Sequence, residues 1–189
     1  MTLVSVFRAQ IKEIYQKMRV RMMILVSGLP GSGKSFFASR LAKRLNADYI
    51  SSDLVRKTLQ ATGKYAFEDK FRIYRHMAEQ AVKLIRQGNT VVVDATFYHH
   101  SMRALFIDAA AQNQCRIYFI VIEASEQLVK ERLAQPRQES EADLGVYQSM
   151  KTQFERYTQP NLRLESGADN IEQMLAAAVE YLSENDGKC

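Results

Sequence analysis

Eight consecutive residues, Gly28-Leu29-Pro30-Gly31-Ser32-Gly33-Lys34-Ser35, carry the spacing G-x-x-x-x-G-K-S. They follow the apolar run Met22–Val26 and precede Phe36–Ala42, a stretch with helical character. Strand before and helix after is the context in which such a loop binds phosphate. Glycines let the backbone curl so that successive N–H groups face inward on phosphate oxygens, and the first turn of the following helix adds partial positive charge. All eight residues are therefore expected to contact a nucleoside triphosphate. Lys34 would reach the outer phosphates, and Ser35 would hold Mg²⁺ through its hydroxyl. A glycine-rich turn without a ligand is the alternative, and the two matching flanks argue against it. ATP and Mg²⁺ are the expected cofactors.

Absent features narrow the chemistry. Asp94-Ala95-Thr96-Phe97 lacks the glycine that would make it a GTPase γ-phosphate sensor, and the chain holds no N-K-x-D for guanine. Ala95 stands where motor ATPases place a water-activating glutamate. Hydrolysis should be slow, leaving the γ-phosphate for another acceptor. Transfer to a hydroxyl needs a carboxylate to take the proton, cations to stabilise the moving phosphoryl, and exclusion of water. Asp53 is the candidate base, against simple helix capping, with Ser52 or Asp53 as N-cap. Arg56, one helical turn on, would fix the acceptor or orient Asp53. Asp94 would order Mg²⁺ through water, and Thr96 and Arg103 would line the acceptor pocket. Arg132 and Arg137 flank a segment without periodicity, and their planar forks suit phosphate oxygens; closure of that segment would bring them onto ATP. His99-His100 is expected to be surface or pocket lining rather than a metal pair, because neighbours on a helix point apart.

The elements that must carry these residues follow from periodicity. Leu3, Val6, Phe7, Ile11, Ile14, Tyr15 and Met18 predict an amphipathic helix within residues 1–20, packed on or beside the core with a basic outer face. Residues 21–189 then form one domain. Strands are expected at Met22–Ser27, Asp48–Ser51, Thr90–Asp94, Arg116–Ile122 and Leu162–Leu164. Helices are expected over 34–46, from Ser52, over 67–87, 100–113, 125–133 and 141–157, and from Ile171 onward, with a lid at about 134–145. Alternating strands and helices give a parallel sheet covered on both faces, with ligands at the carboxyl ends of the strands. The glycine loop, Asp53, Asp94 and the segment after Glu123 all fall at such ends.

Composition adds bounds. The chain has 189 residues, 47% hydrophobic and 25% charged, with net charge +5, as for an ordinary globular domain. The charge suits polyanionic ligands without demanding nucleic acid. The apolar runs are shorter than a membrane span, and Arg8, Lys12 and Glu13 interrupt any signal-like segment. The two cysteines make a disulfide framework unlikely to be the organising principle and fit a reducing cytoplasm.

These pieces together resemble the small P-loop kinases grouped with the kinase domain of polynucleotide 5′-kinase, zeta toxins and chloramphenicol phosphotransferase. The similarity rests on Gly28–Ser35, Ser52-Asp53-Leu54-Val55-Arg56, Val91–Phe97, Glu131-Arg132-Leu133 with Arg137, and Glu141-Ala142-Asp143 leading into Tyr147–Phe154. It spans roughly residues 22–166 and is nearest to stand-alone bacterial members described as kinases or AAA-type ATPases. The resemblance implies a P-loop α/β/α sandwich with a five-stranded parallel sheet, order 2-3-1-4-5, and a helical lid. It implies an ATP-dependent phosphotransferase in which Asp53 and Arg56 serve the acceptor hydroxyl and Arg132 and Arg137 are lid arginines. Pro136 interrupts the run between those arginines, and the helix at 3–19 lies outside the shared region. The acceptor is expected to be a small-molecule hydroxyl; a 5′-hydroxyl nucleic-acid end, a non-catalytic ATP switch and a toxin role are the alternatives.

Overall fold

A computed structural model of the chain describes residues 21–60, 66–134 and 143–185. Its strands are β1 Met22–Ser27, β2 Asp48–Ser51, β3 Val91–Asp94, β4 Arg116–Glu123 and β5 Leu162–Glu165. Its helices are α1 Lys34–Leu45, α2 Ser52–Thr58, α3 Phe67–Arg86, α4 His100–Gln112, α5 Glu126–Leu133, α6 Leu144–Gln153 and α7 Ile171–Glu184. All strand pairs are parallel, in the order β2-β3-β1-β4-β5, as expected from the sequence. Register brings the strand ends level: Val26 and Ser51 both pair with Asp94, and Ser27 pairs with Val121. Ser27, Ser51 and Asp94 thus meet along one carboxyl edge.

Side-chain alternation in the strands divides the core in two. Met23 and Leu25 of β1 face α3 and α4 with Val91, Val93, Ile73, Met77 and Phe106. Ile24 and Val26 face α1 and α7 with Val92, Phe37, Leu41, Met174 and Leu182. Both faces of β1 are covered, so the strand is apolar until it reaches the site at Ser27. At the edge, β5 alternates: Leu162 and Leu164 are half-buried, Arg163 and Glu165 exposed.

Two local departures affect the site. α2 begins at Ser52 with Ser51 as its N-cap, and no side chain caps it. Neither Ser52 nor Asp53 is the cap, because β2 runs into the helix without an intervening loop; Asp53 sits inside the first turn. The helix expected over 141–157 is shorter. It is capped by Asp143, whose Oδ1 accepts from the Val146 N–H at 2.8 Å, and it ends at Gln153 where Phe154 turns extended. Phe154 and Tyr157 pack onto the α3–α4 core, and the Glu155 N–H donates to Tyr98 O at 2.9 Å. Those contacts outweigh continued helix. The helix expected within residues 1–20, most of the lid and Arg137 lie outside the described residues. Among the described residues no helix is long and apolar enough to cross a membrane.

Candidate active site

The glycine loop closes on itself between β1 and α1. The Ser32 N–H donates to Leu29 O at 3.1 Å, and Gly33 caps α1 with φ 90°, a conformation open to glycine at little cost. Space is as restrictive as torsion. A Cβ on Gly28 would lie 2.4 Å from Ile122 O, and one on Gly33 would lie 2.9 Å from Ser166 Oγ and 3.0 Å from Arg132 Nη1. The Ser32 hydroxyl inside the loop is buried and has no hydrogen-bond partner, as befits a cradle shaped for a ligand.

Asp94 ends β3 at 1% exposure. Its Oδ2 accepts from the Tyr49 hydroxyl at 2.7 Å, while Oδ1 is buried without a hydrogen bond of its own. Burial pushes the carboxyl above its ordinary range; the Lys34 ammonium and the Ser35 and Tyr49 hydroxyls pull it back, and the Asp53 carboxylate nearby raises it again. These influences put Lys34, Ser35, Asp53 and Asp94 in one neighbourhood, although they come from α1, α2 and β3. A lone buried carboxylate oxygen beside a serine hydroxyl is a hard-oxygen donor set, which suits Mg²⁺ with water completing its shell.

Asp53 is half-buried in the first turn of α2, and Arg56 lies one turn further. The Arg56 charge is felt at Lys70 and Tyr74 on α3. Lys70, whose ammonium stands 5.1 Å from the centre of the Tyr98 ring, is held below the usual lysine range by burial first and by Arg56 second. The surroundings of Asp53 include α2, α3 and the loop after β3, where Thr96 is half-buried.

Two of the arginines singled out in the sequence are bonded to backbone carbonyls. Arg103, only 2% exposed, is committed to the frame: Nη1 donates to Phe97 O at 2.9 Å and Glu155 O at 3.1 Å, and Nη2 to Arg156 O at 3.3 Å. Its guanidinium also lies 4.2 Å from the centre of the Tyr157 ring. It supports the loop carrying Thr96 from behind rather than lining an open pocket. Arg132, on the last turn of α5, donates from Nη1 to Gly31 O at 3.2 Å and Ser32 O at 3.1 Å, and from Nη2 to Ser166 Oγ and Gly167 O, both at 3.0 Å. It clasps the outer side of the glycine loop to the β5–α7 connection. A cavity of about 410 Å³ adjoins this clasp, lined by Gly33, Phe36, Arg132, Gly167, Asn170 and Met174 among others. Ser166, Gly167 and Asn170 went unrecognised in the sequence, since a Ser-Gly pair more than a hundred residues from the loop gives no local signal.

A parallel 2-3-1-4-5 sheet, a G-x-x-x-x-G-K-S loop joining its central strand to a helix, and a buried aspartate on the adjacent strand define a P-loop nucleotide-binding domain. The chain belongs to the AAA domain family, whose model matches residues 23–157. It is similar to the APS kinase CysC of Mycobacterium tuberculosis, solved with AMPPNP and APS, at TM-score 0.69 and 21% identity over 86% of this chain and 98% of that one. It is also similar to a gluconokinase of Sinorhizobium meliloti, at TM-score 0.69 and 19% identity over 88% and 96% of the two chains. These likenesses are likenesses of fold. Uncharacterized protein Rv2004c of Mycobacterium tuberculosis is 28% identical over 123 residues, 59% of this chain. The match spans only a quarter, 25%, of that relative's length.

Proposed function

We propose that the protein is an ATP-dependent phosphotransferase that moves the γ-phosphate to a hydroxyl of a small molecule. The observation that carries this reading is Asp53: a half-buried carboxylate, two residues beyond the Ser51 that pairs with Asp94, whose charge is felt at Asp94. Ala95 following Asp94, where a hydrolase would place a water-activating acid, supports it. The similarity in fold to an APS kinase and a gluconokinase agrees with it.

In this mechanism the glycine-loop N–H groups and Lys34 hold the β- and γ-phosphates. Ser35 and Asp94 would hold Mg²⁺, which when bound supplies positive charge to the phosphate oxygens. The acceptor hydroxyl, positioned by Asp53 and Arg56, attacks the γ-phosphorus in line. Its proton passes to the Asp53 carboxylate as the new P–O bond forms. The bond from the γ-phosphorus to the β–γ bridging oxygen breaks, and ADP leaves with the electron pair. Lys34, with Arg137 closing from the lid, stabilises the charge on the transferring group. Arg132 keeps the loop in shape through its bonds to Gly31 and Ser32, and the cavity beside Phe36 and Asn170 offers the adenine a place next to the loop.

The test is a γ-labelled ATP screen over nucleosides, sugars, aminoglycosides and 5′-hydroxyl oligonucleotides, run with wild type, Lys34→Ala and Asp53→Asn. Lys34→Ala should abolish turnover. Asp53→Asn should retain ATP affinity and lose about 10²–10⁴-fold in transfer rate, the range of a general base. Transfer by Asp53→Asn at the wild-type rate would remove Asp53 as the base. Nucleotide-dependent conformational change in wild type, with no transfer to any acceptor, would point to the switch reading instead.

A further inference from the structure

Where α6 ends, Glu155 is delivered to the start of α4. Its Oε1 lies 3.3 Å from His99 Nε2 and its Oε2 lies 2.9 Å from His100 Nδ1. The two rings are 4.5 Å apart and inclined by only 31°. One ligand atom from each of the three residues falls within 4.8 Å of the others. Adjacent residues on a helix diverge, but His99 is the N-cap of α4 with extended torsions, and His100 is its first helical residue. The change of backbone between them turns both imidazoles to the same side.

The frame under this cluster is fixed. The Glu155 N–H donates to Tyr98 O at 2.9 Å, the His100 N–H donates to Glu155 Oε2, and Arg103 bonds the carbonyls of Phe97, Glu155 and Arg156. Ser101 Oγ stands 2.8 Å from His99 Nδ1. The Ser101 N–H also donates to this nitrogen at 3.3 Å, capping α4, so coordination through Nε2 requires the ring proton to move to Nδ1, with Ser101 Oγ as its acceptor. The edge-on ring contact of Phe67 at 5.4 Å limits rotation of His99. Arg103 Nη2 at 3.9 Å from Glu155 Oε2 is a nearby cation; its Nη1 and Nη2 bond carbonyls, while its Nε is buried without a partner.

We propose that His99, His100 and Glu155 form a site for one divalent transition cation of the Zn²⁺, Ni²⁺ or Co²⁺ class, separate from the nucleotide's Mg²⁺. Two imidazoles and one carboxylate are a donor set for these ions, whereas Mg²⁺ selects oxygen. Bonds of about 2.0–2.2 Å in a tetrahedral shell separate neighbouring ligand atoms by roughly 3.3 Å, so ligand atoms that lie within 4.8 Å of one another would draw in by up to about 1.5 Å on binding. Three protein ligands leave a coordination position for water or another ligand. The bound ion joins the start of α4 to the chain leaving α6, tightening the support behind Thr96.

The experiment titrates ZnCl₂, and separately CoCl₂ followed by visible absorption, into the full chain stripped of metal, without nucleotide and in saturating Mg²⁺. One equivalent should bind despite the Mg²⁺, raise the melting temperature, and persist in Lys34→Ala. His100→Ala, which alters a ring 72% exposed, and Glu155→Gln should each weaken it about 10–100-fold. Absence of saturable one-to-one binding in wild type overturns the proposal. So does binding by His100→Ala and Glu155→Gln as tight as wild type, which would place the ion elsewhere. Neither result bears on ATP binding or transfer, which Asp53→Asn tests independently.

Discussion

Replacing Arg103 by methionine separates a frame role from an acceptor role. Methionine keeps much of the length of the side chain and removes every donor. Phe97 O, Glu155 O and Arg156 O would each lose a bond of 2.9–3.3 Å, and the Tyr157 ring would lose a cation 4.2 Å away. Phe97 adds to the cost. It is fully buried at φ 48°, where bulky residues rarely sit, and is held there by the Tyr74 hydroxyl on its N–H at 3.0 Å and by Arg103 on its carbonyl. Leaving the buried Phe97 carbonyl unpaired costs about 1–3 kcal/mol, and the part-buried bonds to Glu155 and Arg156 add about 1 kcal/mol each, for a sum of about 3–5 kcal/mol. For a domain of this size 1 kcal/mol moves the melting temperature by about 2–4 °C, so the fall should be roughly 6–20 °C. Thermal unfolding by circular dichroism, with urea titration at 25 °C, measures it, and the acceptor KM is read below the transition. A melting temperature within about 2 °C of wild type would refute the loss as derived from these contacts. An acceptor KM raised tenfold with stability unchanged would return Arg103 to the acceptor pocket.

Asp94→Asn should change the pH dependence of stability. Burial raises the folded-state carboxyl above its ordinary value of 3.8, so its protonation stabilises the fold at low pH, and that contribution fades as pH rises through the raised value. The asparagine variant should lack this component, outlast wild type at neutral pH without nucleotide, and lose the protection that Mg²⁺-ATP gives; parallel melting-temperature curves between pH 4 and 8 would contradict it. Arg132→Ala frees the carbonyls of Gly31 and Ser32 and opens the clasp to Ser166 and Gly167. Loss of about 1.5–3 kcal/mol of charged hydrogen bonding raises the ATP KM by about 10–100-fold; steady-state kinetics showing a fall in kcat with KM unchanged would instead make Arg132 a transition-state contact.

The alternation of strands and helices was legible because the strands are short and bounded, with helical periodicity between, whereas the strand order was implied by the family resemblance. The glycine loop was legible because its parts are consecutive. Helix ends were less so: Phe154 continues an apolar pattern, and only its packing beside Tyr157 and Phe119 takes it out of α6. The carbonyl partners of the buried arginine were not legible for a related reason. A charge in a loop region reads as solvent- or ligand-facing, and its carbonyl partners at Phe97, Glu155 and Arg156 arrive from two separate stretches of chain. His99 and His100 were read with helical geometry although the helix begins between them.

The sequence by itself determined the phosphate cradle, the parallel sheet and the line of strand ends, because each depends on residues adjacent in the chain or repeating at a fixed period. The tertiary structure alone decided which charges meet. Asp53 comes beside Asp94, Arg132 is tied to the glycine loop, and Glu155 is brought against His99 and His100. Such pairings follow from strand register and helix packing, which many residues set together and no short stretch of chain encodes.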